Sequence, residues 1–240
     1  MRKLYSLVHG YSKAGKSWMQ MTSPWPRLVL DAEGRTEYTP TKKLTWDGVS
    51  DPAGLDFTSA GTCVVRIKRW DQLGSVYNWL SSKKHPFKSM SLDSFTECQK
   101  QLITGVVGGE DRYPKIDEWG KVARQGEALL RAWRDMLRED DQPLQMVTVL
   151  AGTEETSDGR KIPFLQGSLA KAVSYPFDVV GYLYAAQVGQ QSVPHLRIGP
   201  LEGFECGDGT DMLTQHYGPT IARPNLTEIL SVLNPEAASA

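Results

Sequence analysis

Short apolar runs alternate along this chain with longer stretches of helical periodicity, and the two periods divide it into elements. Residues 4–9, 27–31, 63–67, 87–94 and 145–151 read as buried strands, most of them closed by a polar or glycine-bearing turn. Between them lie helical patterns. Leu73, Val76, Tyr77 and Leu80 share one face of a helix over 70–80, and a second helix is expected over 95–106. The clearest covers 118–138, where Trp119, Val122, Gly126, Leu129, Leu130, Trp133 and Leu137 form one stripe. Strands alternating with helices predict an α/β fold: a mostly parallel central sheet covered by helices on both faces. Residues 178–188, 193–198 and 203–206 predict an antiparallel C-terminal extension of one sheet edge, and 225–233 a final helix. Residues 35–61 predict a long surface excursion with a small hairpin around Trp46-Asp47-Gly48, and 152–169 a polar loop. The whole reads as a single domain over 1–233 with a flexible tail over 234–240.

Composition narrows the class. The chain has 240 residues, 40% of them hydrophobic and 23% charged, ordinary for a globular protein able to bury a full core without staples. Its three cysteines, Cys63, Cys98 and Cys206, are widely spaced and odd in number, so no disulfide framework or zinc spacing is implied and a reducing, cytoplasmic setting is expected. No apolar run reaches membrane-spanning length and no signal peptide is visible. A net charge of -1 argues against coating nucleic acid by charge alone, while leaving room for a local basic groove.

The densest chemical signal follows the first strand. Gly10-Tyr11-Ser12-Lys13-Ala14-Gly15-Lys16-Ser17 fits the phosphate-binding loop pattern, Gly, four residues, Gly-Lys-Ser/Thr, and Trp18 continues it. Gly10 and Gly15 let the backbone turn its N–H groups toward phosphate oxygens. Lys16 supplies a charge for the outer phosphates, the Ser17 hydroxyl suits Mg²⁺, and the following helix adds the positive end of its dipole. A nucleoside triphosphatase needs an acid for the metal shell and a group that activates water. Asp93, at a strand tip, is the candidate for the first role, with an N-cap as its plainer alternative. Glu33, in Asp31-Ala32-Glu33-Gly34 at another tip, is the candidate for the second, with a surface turn as its alternative.

These segments resemble a family. The loop at 10–17, Asp31-Ala32-Glu33-Gly34-Arg35-Thr36, Leu92-Asp93-Ser94-Phe95-Thr96-Glu97, Trp119-Gly120, Val149-Leu150-Ala151-Gly152-Thr153-Glu154-Glu155 and Phe177-Asp178-Val179-Val180-Gly181 look like the phage RecA-like ATP-binding proteins, some of which are single-strand annealing recombinases. The resemblance covers about residues 4–232 and implies a RecA-like P-loop NTPase fold, ATP and Mg²⁺ as cofactors, and hydrolysis by a ring or filament of identical subunits. It implies Glu33 as the water-activating glutamate, Asp93 as the Walker-B acid and Thr153 as a γ-phosphate sensor. It also implies single-stranded DNA, and phage or host recombination and single-strand-binding proteins, as partners. Two positions depart from the pattern. Thr153 is shorter than the usual His or Gln, and the late basic element is replaced by acidic 205–211, with Arg197 and Arg223 as the nearest substitutes.

In such folds two loops near the oligomer axis hold single-stranded nucleic acid by positive charge and stacking. Here they would be 104–118, with Arg112, Tyr113 and Lys115, and 154–171, with Arg160, Lys161, Phe164 and Lys171. Acids at Glu110, Asp111, Glu154, Glu155 and Asp158 dilute both. Arg124, Arg131, Arg134 and Arg138 read instead as a salt-bridged helix surface. Two other function classes stay open: a P-loop phosphotransferase acting on a small molecule, and a nucleotide-gated assembly protein that barely hydrolyses.

Overall fold

Alternation along the first strand explains the layering. In β1 (Leu4–His9) Tyr5 and Leu7 join one apolar cluster while Leu4 and Val8 join another, so the strand is buried on both faces. The computed structural model describes residues 1–39, 41–50, 55–109 and 112–238. Among them the strands run β2 (Arg27–Asp31), β3 (Leu44–Trp46), β4 (Thr62–Arg66), β5 (Ser89–Asp93), β6 (Met146–Ala151), β7 (Thr153–Glu155), β8 (Lys161–Pro163), β9 (Val179–Val188), β10 (Gln191–Arg197), β11 (Gly207–Asp208) and β12 (Thr220–Ala222). The helices are α1 (Lys16–Met19), α2 (Phe57–Ala60), α3 (Asp71–Ser81), α4 (Phe95–Val107), α5 (Ile116–Arg138), α6 (Leu169–Ala172), α7 (Met212–Tyr217) and α8 (Leu226–Leu233).

The main sheet has the order β12-β10-β9-β1-β6-β5-β2-β4-β3, with β11 also paired to β9. From β9 through to β3 the pairings are parallel; β10, β11 and β12 add antiparallel strands around β9. The chain is therefore an α/β protein with a mostly parallel central sheet flanked by helices and an antiparallel C-terminal extension, consistent with a RecA-like P-loop ATPase fold. One strand, β6, lies between β1 and β5, so the glycine loop and Asp93 leave strands separated by a single neighbour. The tips are level: His9 pairs with Ala151, and Asp31 pairs with Asp93. Helices α3, α4 and α5 cover one face around Trp133, Phe95 and Leu73, and α1, α7 and α8 cover the other around Met19, Leu213 and Leu230.

Three elements differ from expectation. Residues 44–46 form no hairpin; β3 is a parallel edge strand, because Trp46 packs against Phe57 and Trp79 and needs that depth. Residues 152–169 are not wholly a loop: Thr153–Glu155 pairs with Lys161–Pro163. Residues 203–206 make only isolated bridges, Lys161 with Phe204 and Leu201 with Phe204. The helix after the glycine loop has four α-helical residues before a 3₁₀ turn, Gln20–Thr22, and Pro24 and Pro26 prevent its extension. Helix α7 and β12 were not legible in the pattern. Asp208 holds α7 in place, accepting hydrogen bonds from the backbone N–H and hydroxyl of both Thr210 and Thr214. One of the three acids at 205–211, Asp208, thus has a structural use.

Candidate functional site

Gly10 leaves β1 hard against β9: a Cβ there would collide with the Leu183 carbonyl, so only glycine lets the loop start at this point. The loop then runs through exposed Tyr11, Ser12 and Lys13 and buried Ala14 to Gly15, whose φ of 101° sets the turn into α1. First-turn amides of a helix have no intrahelical acceptor, which leaves the N–H groups of Lys16 and Ser17 as donors, while that of Trp18 turns back to the Gly15 carbonyl at 3.1 Å. With so short a helix the field at this point comes from those local amides rather than from a long macrodipole. Lys16 folds back over the loop. Its Nζ donates to the Gly10 carbonyl at 2.6 Å and the Tyr11 carbonyl at 3.0 Å. Burial lowers its pKa, and the Asp93 and Glu33 carboxylates pull the other way.

Two strand tips bring acids to that loop. Ser17 Oγ donates to Asp93 Oδ2 at 2.6 Å, and the buried Gln20 amide donates to the same oxygen at 2.8 Å. Gln20 is itself fixed by the Ser91 hydroxyl, one position behind on the same face of β5. Asp93 is 1% exposed, and burial pushes its carboxyl up to about 6, with the Ser17 hydrogen bond opposing and Glu33 and Asp31 adding to the rise. Glu33 stands beside it. Its Oε1 accepts from Ser94 Oγ at 2.6 Å and its Oε2 pairs with Arg35 at 2.7 Å. Lys13, Gly15, Lys16, Ser17, Glu33 and Asp93 line one cleft of about 440 Å³, with Trp18, Arg35, Tyr38 and Thr39 around it.

Asp31 makes this placement possible. Its carboxylate accepts from Gly34 N at 2.6 Å, Thr36 N at 3.2 Å and Thr36 Oγ1 at 2.5 Å, which winds residues 32–36 back toward β5. Gly34, at φ 78°, supplies the left-handed residue in that turn, where a side chain would strike Arg66.

Other expected residues lie elsewhere. Thr153 does not line the cleft; its hydroxyl lies 2.9 Å from His9 Nδ1. Arg112 is held by both oxygens of Glu118, Arg160 by Asp158, and Lys161 by Glu155 at 3.6 Å and by the Phe204 ring. Lys115, Phe164 and Lys171 are exposed. Segment 154–171 meets the start of α5 where Gly167 abuts Trp119, one residue beyond 104–118. Glu110 and Asp111 lie outside the described residues. Arg197 contacts Pro200 and Thr220, whereas Arg223 lines a second cavity, of about 360 Å³, with Lys13, Gly15 and Trp18. Arg223 thus faces the glycine loop of its own chain. Sequence reasoning missed Gln20, Ser94 and the structural use of Asp31. Their spacing, three residues beyond Ser17 and one beyond Asp93, was the available signal for the first two.

The donor set fits a hard cation. Ser17 and Asp93 offer oxygen only, and among the described residues no cationic side chain forms an ion pair with the buried Asp93 carboxylate, Lys16 acting on it from further off. No group of three or more His, Cys, Asp or Glu among the described residues could hold a metal alone, so phosphate and water would complete such a shell. Among those residues no helix is long and apolar enough to cross a membrane.

No protein-family model matches the chain, and no curated protein matches it. A solved structure from a structural and biochemical analysis of a prototypical ATPase from the type III secretion system of pathogenic bacteria is similar over 76% of this chain and 52% of that one, at 13% identity and a TM-score of 0.49. The chain spans about half the length of that structure. A likeness of this degree carries no argument about function.

Proposed function

We propose that the chain binds ATP with Mg²⁺ and hydrolyses it, acting on single-stranded DNA as a RecA-like homo-oligomer in phage recombination or annealing. One observation carries the catalytic part: the Ser17–Asp93 contact and the Glu33 carboxylate open into the same cleft as Lys16. In this reading the loop amides and Lys16 hold the outer phosphates, Ser17 and Asp93 hold the cation, and Glu33 takes a proton from water. The cation would supply charge neutralisation at the phosphates. Arg35 and Ser94 orient the glutamate. The DNA part rests on the β7–β8 hairpin, whose turn at 157–160 is exposed, and the segment after it, which carry Arg160, Lys161 and Phe164, with Lys171 close behind.

The test has two arms. Phosphate release is measured for the chain and for Glu33→Gln, with a loss of about 100-fold or more expected, the usual contribution of a general base. Affinity for single-stranded DNA is titrated with and without Mg–ATP, with a change of about 5-fold or more expected. Unchanged release in Glu33→Gln removes the catalytic assignment, and DNA affinity indifferent to nucleotide removes the recombinase reading. A second reading, a nucleotide-gated assembly protein with little turnover, is favoured by one feature: both Glu33 oxygens are engaged, by Ser94 and Arg35. Under it, nucleotide drives association while Glu33→Gln leaves the slow release unaltered.

A further inference from the structure

His9 is the last residue of β1, wholly buried beneath the start of the glycine loop, and both of its ring nitrogens are engaged. Nε2 lies 2.7 Å from the Glu205 backbone carbonyl, which can only accept, so Nε2 carries the ring proton. Burial holds the imidazole neutral, lowering its pKa to about 4, so Nδ1 presents a lone pair. The Thr153 hydroxyl therefore donates to Nδ1, and its single proton is unavailable to a phosphate.

The two partners of His9 belong to one small unit. Thr153 opens β7, and Lys161 of β8 exchanges backbone hydrogen bonds with residues 203 and 205: Lys161 N donates to Gly203 and Glu205 N donates to Lys161. Tyr182 lies against the imidazole at 5.3 Å and against Phe204 at 5.1 Å, filling the space between them. On the outer side, Tyr11 of the glycine loop reaches Glu155 of β7 at 3.4 Å. The far end of the unit is gripped from α4, where Thr96 Oγ1 donates to the Phe164 carbonyl and Gln99 bonds Gln166 through both backbone groups. Helix α4 begins two residues after Asp93. The β7–β8 hairpin is thus attached to the cleft at two points, the glycine loop through His9 and the Asp93 tip through Thr96 and Gln99.

We propose that His9 is a positioning residue that ties the β7–β8 hairpin, with Arg160 and Lys161, to the state of the glycine loop, doing through Thr153 what the short threonine cannot do alone. This rests on the reading that the loop binds a nucleoside triphosphate. When phosphates draw the Gly10–Lys16 backbone, β1's last residue moves with it, and the rigid imidazole passes that shift to Thr153 and Glu205 together.

The experiment is amide hydrogen exchange over 153–163, with and without a saturating non-hydrolysable ATP analogue and Mg²⁺, occupancy being checked separately for each protein. In the native chain the nucleotide slows exchange in the hairpin by about 5-fold or more, the lower end of usual coupling between sites. In His9→Phe, whose ring fills the site but can neither donate to Glu205 nor accept from Thr153, that nucleotide-dependent difference falls to near unity. Thr153→Val, which removes only the hydroxyl, gives the same result in a protein whose core is untouched. A merely structural His9 would raise exchange equally with and without nucleotide, leaving the ratio unchanged in both variants, and that outcome overturns the proposal. A native hairpin indifferent to bound nucleotide overturns it too. Failure of the native chain to bind the analogue would instead sink the nucleotide reading itself.

Discussion

Asp31 and Asp93 sit opposite one another in register on neighbouring strands, each 1% exposed, yet they do different work. Asp31 is surrounded by donors: two backbone amides and the Thr36 hydroxyl from its own following turn, and the Arg66 guanidinium of β4 at 3.4 Å. Asp93 accepts from a hydroxyl in the short helix after the glycine loop and from a neutral amide in the 3₁₀ turn that continues it. One carboxylate is satisfied and structural. The other forms no ion pair among the described residues, and burial raises its pKa to about 6 against the pull of Ser17 and Lys16. Burial alone does not separate a carboxylate available to a ligand from one absorbed by its own turn; the kind of donor around it does.

The comparison can be tested by exchanging amide for carboxyl at each position. Asp93→Asn is expected to lower ATP turnover by about 100- to 1000-fold, as loss of a preorganised charge does, without lowering the melting temperature. Asp31→Asn is expected to cost about 2–4 kcal/mol of stability, because its amide group turns one acceptor into a donor facing other donors. Equal melting shifts in the two variants would erase the distinction.

Acidity offers a second test. Asp93's folded pKa of about 6 lies above its ordinary 3.8, so its stabilising share is full below about pH 4 and is lost as pH rises through 6. His9's folded pKa of about 4 lies below its ordinary 6.5, so its share is full above 6.5 and is lost as pH falls through 4. The slopes oppose across the same window, each amounting to roughly 3 kcal/mol. Denaturant titrations of the nucleotide-free protein between pH 4 and 6.5 should show Asp93→Asn losing more stability on acidification than the native chain, and His9→Gln losing less. Parallel curves for all three would count against both assignments. The smallest effect expected is for Thr36→Val, which removes one hydroxyl from Asp31: about 1–2 kcal/mol by the same titration, with turnover little changed.

Much of this molecule is written locally. The five parallel strands that carry the sheet's centre, helices α3, α4 and α5, and the glycine loop follow from apolar period and from a short motif, because a side chain's face is set by its own position along the backbone. Elements whose burial depends on distant partners were not legible: β3 exists because Trp46 finds Trp79 and Phe57, and β12 because Ile221 pairs opposite Leu196. The site divides in the same way. Which residues are chemically able to act could be read from their types and order, but the neutral donors that meet Asp93, Asp31's crowd of donors, and His9's bonds to residues 144 and 196 positions away could not. A hydrogen bond is a fact about two atoms brought together by strand register and loop packing. Nothing in the order of residues along a strand states what will stand opposite its tip once the sheet has closed.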